Sequence, residues 1–120
     1  MRKLYVGLLA LFISAGAVAE TVNLKHQGLN VSANLETTGE AWRQGPVLLM
    51  THGTLAHGQM EIMAALQQAF LDRGVSSLSI NLSLGLSDRE GMYDCAVPHT
   101  HKHTDAVDEI GIWLEWLKGK

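Results

Sequence analysis

The 120 residues carry nine Lys/Arg against twelve Asp/Glu, a formal charge of −3 with histidine neutral, and 47% of them are apolar. No basic patch is present and the acidic residues are scattered, which disfavours a nucleic-acid binder and describes an ordinary solvated surface. One cysteine, Cys95, is a lone thiol.

The N-terminus reads as a cleaved secretory leader. Arg2 and Lys3 form a positive n-region, Leu4 to Ile13 an apolar h-region, and Ala17-Val18-Ala19 an A-x-A signal ahead of Glu20. The apolar run is about half of the ~20 residues needed to span a bilayer. No cysteine follows the cleavage site, so a lipid anchor there is not expected, and the mature chain is expected in the periplasm or secreted. Beyond residue 19, seven Lys/Arg face twelve Asp/Glu, a net charge of −5. In an oxidising compartment Cys95 either pairs with a cysteine outside these residues or is a buried, inert residue.

Thr21 to Lys25 alternates polar and apolar, as a half-buried strand does, and Leu29 to Leu35 alternates again beyond Gln27-Gly28. The pair predicts an antiparallel hairpin, although the link lacks the strongest turn dipeptides. Glu36 to Gly45 reads as a polar loop, with Trp42 a packing anchor near the sheet edge.

Val47-Leu48-Leu49-Met50 has no polar alternation, the pattern of a strand buried on both faces. His52-Gly53-Thr54 ends it, Gly53 being expected to allow a backbone geometry that a Cβ would hinder. Met60 to Arg73 has helical periodicity, with Ile62, Leu66, Ala69 and Phe70 predicted on one buried face and Met63 beside them. Arg73-Gly74 is a helix stop, and Val75 to Ile80 predicts a strand parallel to the Val47 strand. Asn81 to Ser87 then forms a loop at the C-terminal edge of the sheet, where ligands bind in open α/β sheets. Glu90 to His103 is irregular. From Asp105 a helical stripe runs through Val107, Ile110, Leu114 and Leu117, flanked by Trp113 and Trp116, with Thr104 or Asp105 as N-cap and Asp108 and Glu109 favouring the helix dipole.

A hairpin, a strand ending in His-Gly, then helix, strand, Gly/Ser loop and helix resembles the N-terminal half of an α/β-hydrolase, over roughly Thr21 to Lys120. The most specific element is His52-Gly53-Thr54, similar to the family's HG-x oxyanion motif. Asn81 to Ser87 is loosely similar to the family's D-x-x-G-x-G-x-S segment through Gly85 and Ser87. The resemblance implies an α/β fold with a partial α/β-hydrolase-like sheet: an antiparallel hairpin, then parallel βαβ strands with covering helices. It implies hydrolysis of an ester or related acyl bond in a small-molecule substrate, with no cofactor. Thr54 N–H would be one oxyanion donor, with Gly53 shaping the turn and His52 bracing it. The nucleophile elbow G-x-S-x-G is absent, and Ser87 lacks a helix pattern behind it. Residues 20–120 are therefore expected to be the N-terminal portion of a truncated domain, inactive alone, with nucleophile and triad partners in a missing C-terminal half. The sheet is expected to end at the Val75 strand, with an unpaired edge.

His99-Thr100-His101-Lys102-His103 is a second constellation. In an extended segment, residues two apart share a side, so three imidazoles could converge on Zn²⁺ or Cu²⁺, with Asp94 and Cys95 near in sequence. A solvated loop and a lining role beside the substrate pocket are the alternatives. His57 is a candidate rim residue of the Thr54 pocket, or a capping residue. The rival functional readings are an exported metal-binding or chaperone-like protein built on the histidine loop, and a binding scaffold of hydrolase fold without catalysis.

Overall fold

The computed structural model describes residues 16–98 and 100–120. The n- and h-regions of the predicted leader, and His99, lie outside the described residues. Val18–His26 (β1) and Leu29–Thr37 (β2) form the predicted antiparallel hairpin, in register from Val18↔Thr37 to His26↔Leu29. Its two-residue link has φ of 49° at Gln27 and 80° at Gly28. Two left-handed residues give a turn whose twist matches that of the strands, so Gln-Gly closes the hairpin despite being an uncommon pair for it. β1 begins at Val18, so Val18 and Ala19 of the predicted cleavage signal are strand residues paired with Thr37 and Glu36.

The segment predicted as a polar loop contains a short 3₁₀ helix, Glu40–Gln44, whose Trp42 is buried in the core. Val47–Met50 (β3), Glu61–Leu71 (α1) and Ser76–Asn81 (β4) follow, with β3 and β4 parallel. Gly74 ends the helical turn at φ 76°, as Arg73-Gly74 predicted. His103–Lys118 (α2) is the last element. Among the described residues the result is a mixed α/β fold, one open four-stranded sheet in the order β1-β2-β4-β3 with two α-helices. No described helix is long and apolar enough to cross a membrane.

Strand order corrects two expectations. β4 inserts between β2, to which it is antiparallel, and β3. The strand buried on both faces is therefore β4, where Leu78 and Ile80 are fully buried. β3, read as central from its apolar run, is an edge strand in which only Met50 is buried. Among the described residues the edge strands of the sheet are β1 and β3, not the Val75 strand.

The register separates the two faces of the sheet. Val22, Ala33, Leu35, Leu78 and Ile80 lie on one face and pack with Trp42 and with Trp113 of α2, which meets Trp116 edge-on at 6.1 Å. The other face carries Ser77 and Ser79, small enough for α1 and the segment leading into it to sit close. Both helices are rotated relative to the predicted stripes. On α1 the buried pair is Met63 and Gln67, while Ile62 is 64% and Leu66 42% exposed. Gln67 turns inward because its Nε2 donates to Asn34 O at 3.0 Å, a backbone acceptor that no apolar side chain satisfies. On α2 the buried pair is Glu109 and Trp113, and Val107 and Leu114 are exposed. The N-cap is Lys102, two residues before Thr104 and three before Asp105, the two expected caps, and its N–H donates to Asp105 Oδ2 at 2.7 Å.

Candidate functional site

Beyond β3 the chain runs through Thr51-His52-Gly53 at the C-terminal edge of the sheet and turns at Thr54-Leu55. Gly53 O accepts from Ala56 N–H at 3.1 Å and lies 2.8 Å from His52 Nδ1. The N–H of Leu82, an obligate donor, points at His52 Nε2 at 2.9 Å, so Nε2 is the acceptor and Nδ1 carries the proton given to Gly53 O. Gly53 C=O and Thr54 N–H belong to one peptide unit, and no cis peptide occurs among the described residues. In a trans unit the two bonds point in opposite directions. Anchoring the carbonyl from two sides therefore aims the Thr54 N–H away from the anchor. That N–H makes no hydrogen bond with another described residue.

The glycine expectation is corrected here. Gly53 has an ordinary negative-region φ, and a Cβ built on it meets nothing within 4 Å. The left-handed residue of the turn is Leu55, at φ 63°. The glycine that the fold requires is Gly58, where a Cβ would stand 2.7 Å from Ile80 O and 3.0 Å from Ile80 C. Gly58 is held there by its N–H on Asn81 Oδ1 at 3.1 Å and by Ser79 Oγ, which donates to Gly58 O at 2.7 Å.

Both nitrogens of His52 are engaged, and the ring is buried. Burial pushes its pKa below the ordinary imidazole value, repulsion from Arg89 and His57 lowers it further, and the Gly53 carbonyl and Glu109 oppose the shift. With both nitrogens engaged in hydrogen bonds, the ring ties the Gly53 carbonyl to the loop after β4. Arg89 Nη2 approaches the same Nε2 at 3.4 Å. One residue beyond Leu82, Ser83 donates its N–H to Glu109 Oε1 at 2.7 Å and its Oγ–H to Glu109 Oε2 at 2.8 Å. Consecutive amides of the loop after β4 are thus pinned, one to the end of β3 and one to α2.

Thr54 opens onto a cavity of about 130 Å³, bordered also by Leu82, Leu84, His101, His103 and Glu109. The structure so brings Thr54 together with His101 and His103, two of the three loop histidines. The Tyr93 backbone ties that loop to the turn, its N–H donating to Leu55 O at 2.9 Å, and its ring centroid lies 6.0 Å from that of His101. Among the described residues, no three His, Cys, Asp or Glu side chains gather as a metal site. His57 does not rim this cavity. It borders a separate polar cleft of about 230 Å³ with Asn81 and Arg89, and its Nδ1 accepts from Gln59 N–H at 3.2 Å. Ser87 is a docking residue: its Oγ accepts from Asn30 N–H at 2.9 Å, beside the bond from Asn30 Nδ2 to Asp88 Oδ2 at 2.8 Å. Cys95 is exposed, which removes the buried, inert alternative.

In the sequence reading Arg89 and Ser83 carry no role, and Glu109 only that of favouring the helix dipole. Glu109 left one signal: it stands four residues before Trp113 on the inward side of α2. Arg89 left none, because an arginine in an irregular segment reads as solvated until its acceptors are seen.

No family model and no curated protein matches the chain. Among solved structures it is similar to the polyethylene-glycol-bound complex of a cold-adapted esterase from an Arctic intertidal metagenomic library, with a TM-score of 0.50 and 21% identity over 66% of this chain. The match spans 32% of that esterase chain, and the likeness is one of fold.

Proposed function

We propose that this chain is the part of an exported acyl hydrolase, of the α/β-hydrolase type, that carries the oxyanion loop, and that the complete protein acts on an ester or related acyl bond. The observation that carries the reading is the Thr54 peptide: its carbonyl side is anchored to a neutral, buried histidine, and its N–H is unengaged among the described residues beside a cavity. Acyl transfer develops a negative charge on the carbonyl oxygen, and a donor fixed in advance stabilises it without reorganising, at about 3–4 kcal/mol of barrier per donor. A second donor is expected from the residue after the nucleophile. His101 and His103 border the acyl-binding space, His52 holds the loop, and the esterase of similar fold supports the class. No G-x-S-x-G pattern occurs in these 120 residues, so nucleophile, base and acid are assigned to sequence outside them. The unpaired edge of β3 offers the place where a further parallel strand would join. The predicted leader would deliver the protein to the periplasm or beyond.

Two experiments test this. Purified chain without its leader is expected to turn over a nitrophenyl ester no faster than its Thr54→Pro variant; a faster rate would show that a nucleophile is already present. Reading the coding sequence past Lys120 is expected to reveal a strand pattern and G-x-S-x-G within about twenty residues, as the family's spacing implies. A stop codon directly after Lys120 would favour a non-catalytic binding protein instead.

A further inference from the structure

Arg89 is 7% exposed, and no carboxylate stands within ion-pair distance of it among the described residues. A guanidinium stays charged even when desolvated, so burying one requires acceptors placed to receive its donors. The fold supplies them. Nε donates to Leu82 O at 2.9 Å, Nη1 to Gly91 O at 2.9 Å, and Nη2 to Asn81 Oδ1 at 3.2 Å, with His52 Nε2 at 3.4 Å in front of the same nitrogen. Leu82 is thus held twice. Arg89 grips its carbonyl while its N–H reaches His52. A proton on His52 Nε2 would face two donors at once, the Leu82 amide and the guanidinium.

We infer that Arg89 is a positioning residue: by clamping Leu82 and aiming Nη2 at His52 Nε2 it locks His52 in the neutral Nδ1–H form, which anchors Gly53 O and so sets the direction of the Thr54 N–H. The consequence for catalysis rests on the oxyanion reading above, whereas the linkage from Arg89 to Thr54 does not. The charged and titratable groups facing His52 come from three elements. Arg89 follows β4 and His57 precedes α1, and both oppose imidazolium; Glu109 on α2 favours it. On the cavity side stand His101, Lys102, His103 and Asp105. With Arg89 gone, one repelling cation is lost and Leu82, its carbonyl released, holds its N–H on His52 Nε2 less firmly.

The test is the long-range ¹H–¹⁵N imidazole spectrum of the ¹⁵N-labelled chain, with the backbone amide of Thr54 followed in the same samples. In the unaltered chain His52 is expected to show a protonated Nδ1 and a bare Nε2 at pH 6.5, where a free imidazole is about half charged. Arg89→Met should populate the other tautomer, raise the pH at which His52 titrates and shift the Thr54 amide. Arg89→Lys should keep the titration low, since the cation remains, yet still shift the Thr54 amide, since the grip on Leu82 O is lost. A protonated Nε2 in the unaltered chain overturns the inference, and so does an Arg89 variant whose His52 and Thr54 signals do not move. Should Arg89→Met not fold, the unaltered chain and Arg89→Lys still decide. Failure of the extended gene product to hydrolyse any ester would sink the hydrolase reading and leave these spectra unaffected.

Discussion

Replacing Gly58 by alanine should damage the fold, while the same change at Gly53 should not. At Gly58 the new Cβ meets Ile80 O at 2.7 Å, Ile80 C at 3.0 Å and Asn81 N at 3.3 Å. All three are backbone atoms of β4, held in place by the pairing of Ile80 with Ala33 and of Asn81 with Ser32. Overpacking a rigid neighbour costs about 1–3 kcal/mol. Moving the segment away to relieve it loosens the Gly58 N–H bond to Asn81 Oδ1 and the Ser79 Oγ–H bond to Gly58 O, each worth about 1 kcal/mol. The expected total is about 2–5 kcal/mol, a large share of the stability of a small domain. At Gly53 the new methyl group enters open space at an ordinary φ, so the change should stay within about 0.5 kcal/mol. Urea unfolding followed by tryptophan fluorescence measures both. With m of about 1–2 kcal/mol per molar, Gly58→Ala should lower the midpoint by more than about 1 M. Equal midpoints for Gly58→Ala and the unaltered chain, or a collapse of Gly53→Ala, would refute the reasoning.

Three further outcomes are expected. Glu109→Ala leaves the buried Ser83 N–H and Oγ–H without their acceptor and should cost about 2–4 kcal/mol in the same unfolding assay, whereas Glu109→Gln keeps one acceptor and should cost less. Burial holds His52 below its ordinary pKa of 6.5, so between that lowered value and 6.5 the unfolded chain binds more protons than the folded one. Its contribution to stability is therefore fully present above pH 6.5 and is lost as pH falls through the window; His52→Gln should flatten that part of the pH–stability curve. Calorimetry of metal-free chain with micromolar Zn²⁺ should show no saturable heat, and heat that disappears in His101→Ala would favour the metal-binding reading instead.

What was legible in the sequence follows from how local each determinant is. The hairpin, the helix stop at Gly74 and the parallel β3 and β4 rest on alternation, on a residue tolerant of left-handed φ and on the order of elements. The helix faces were misplaced because periodicity weighs hydrophobicity alone. Gln67 and Glu109 occupy the inward positions through bonds to Asn34 O and to Ser83, and such partners come from distant segments. The position of β3 is hidden for the same kind of reason: an edge strand and a central one can share an apolar pattern, and pairing partners come from distant segments.

The candidate site divides along the same line. His52-Gly53-Thr54 is conspicuous in sequence, yet its working geometry is not contained in those three residues. It depends on one proton of His52, and that proton's position is dictated by Leu82 N–H and Arg89, thirty and thirty-seven residues further on. Gly53, the residue that draws the eye, imposes no conformation that alanine lacks. The direction of the Thr54 N–H is thus a property of a chain of bonds running Arg89, Leu82, His52, Gly53 and Thr54, each link an ordinary hydrogen bond or peptide plane. A tripeptide match elsewhere that lacks a buried donor facing its Nε2 would have no reason to hold the same tautomer, and its following amide would be free to turn.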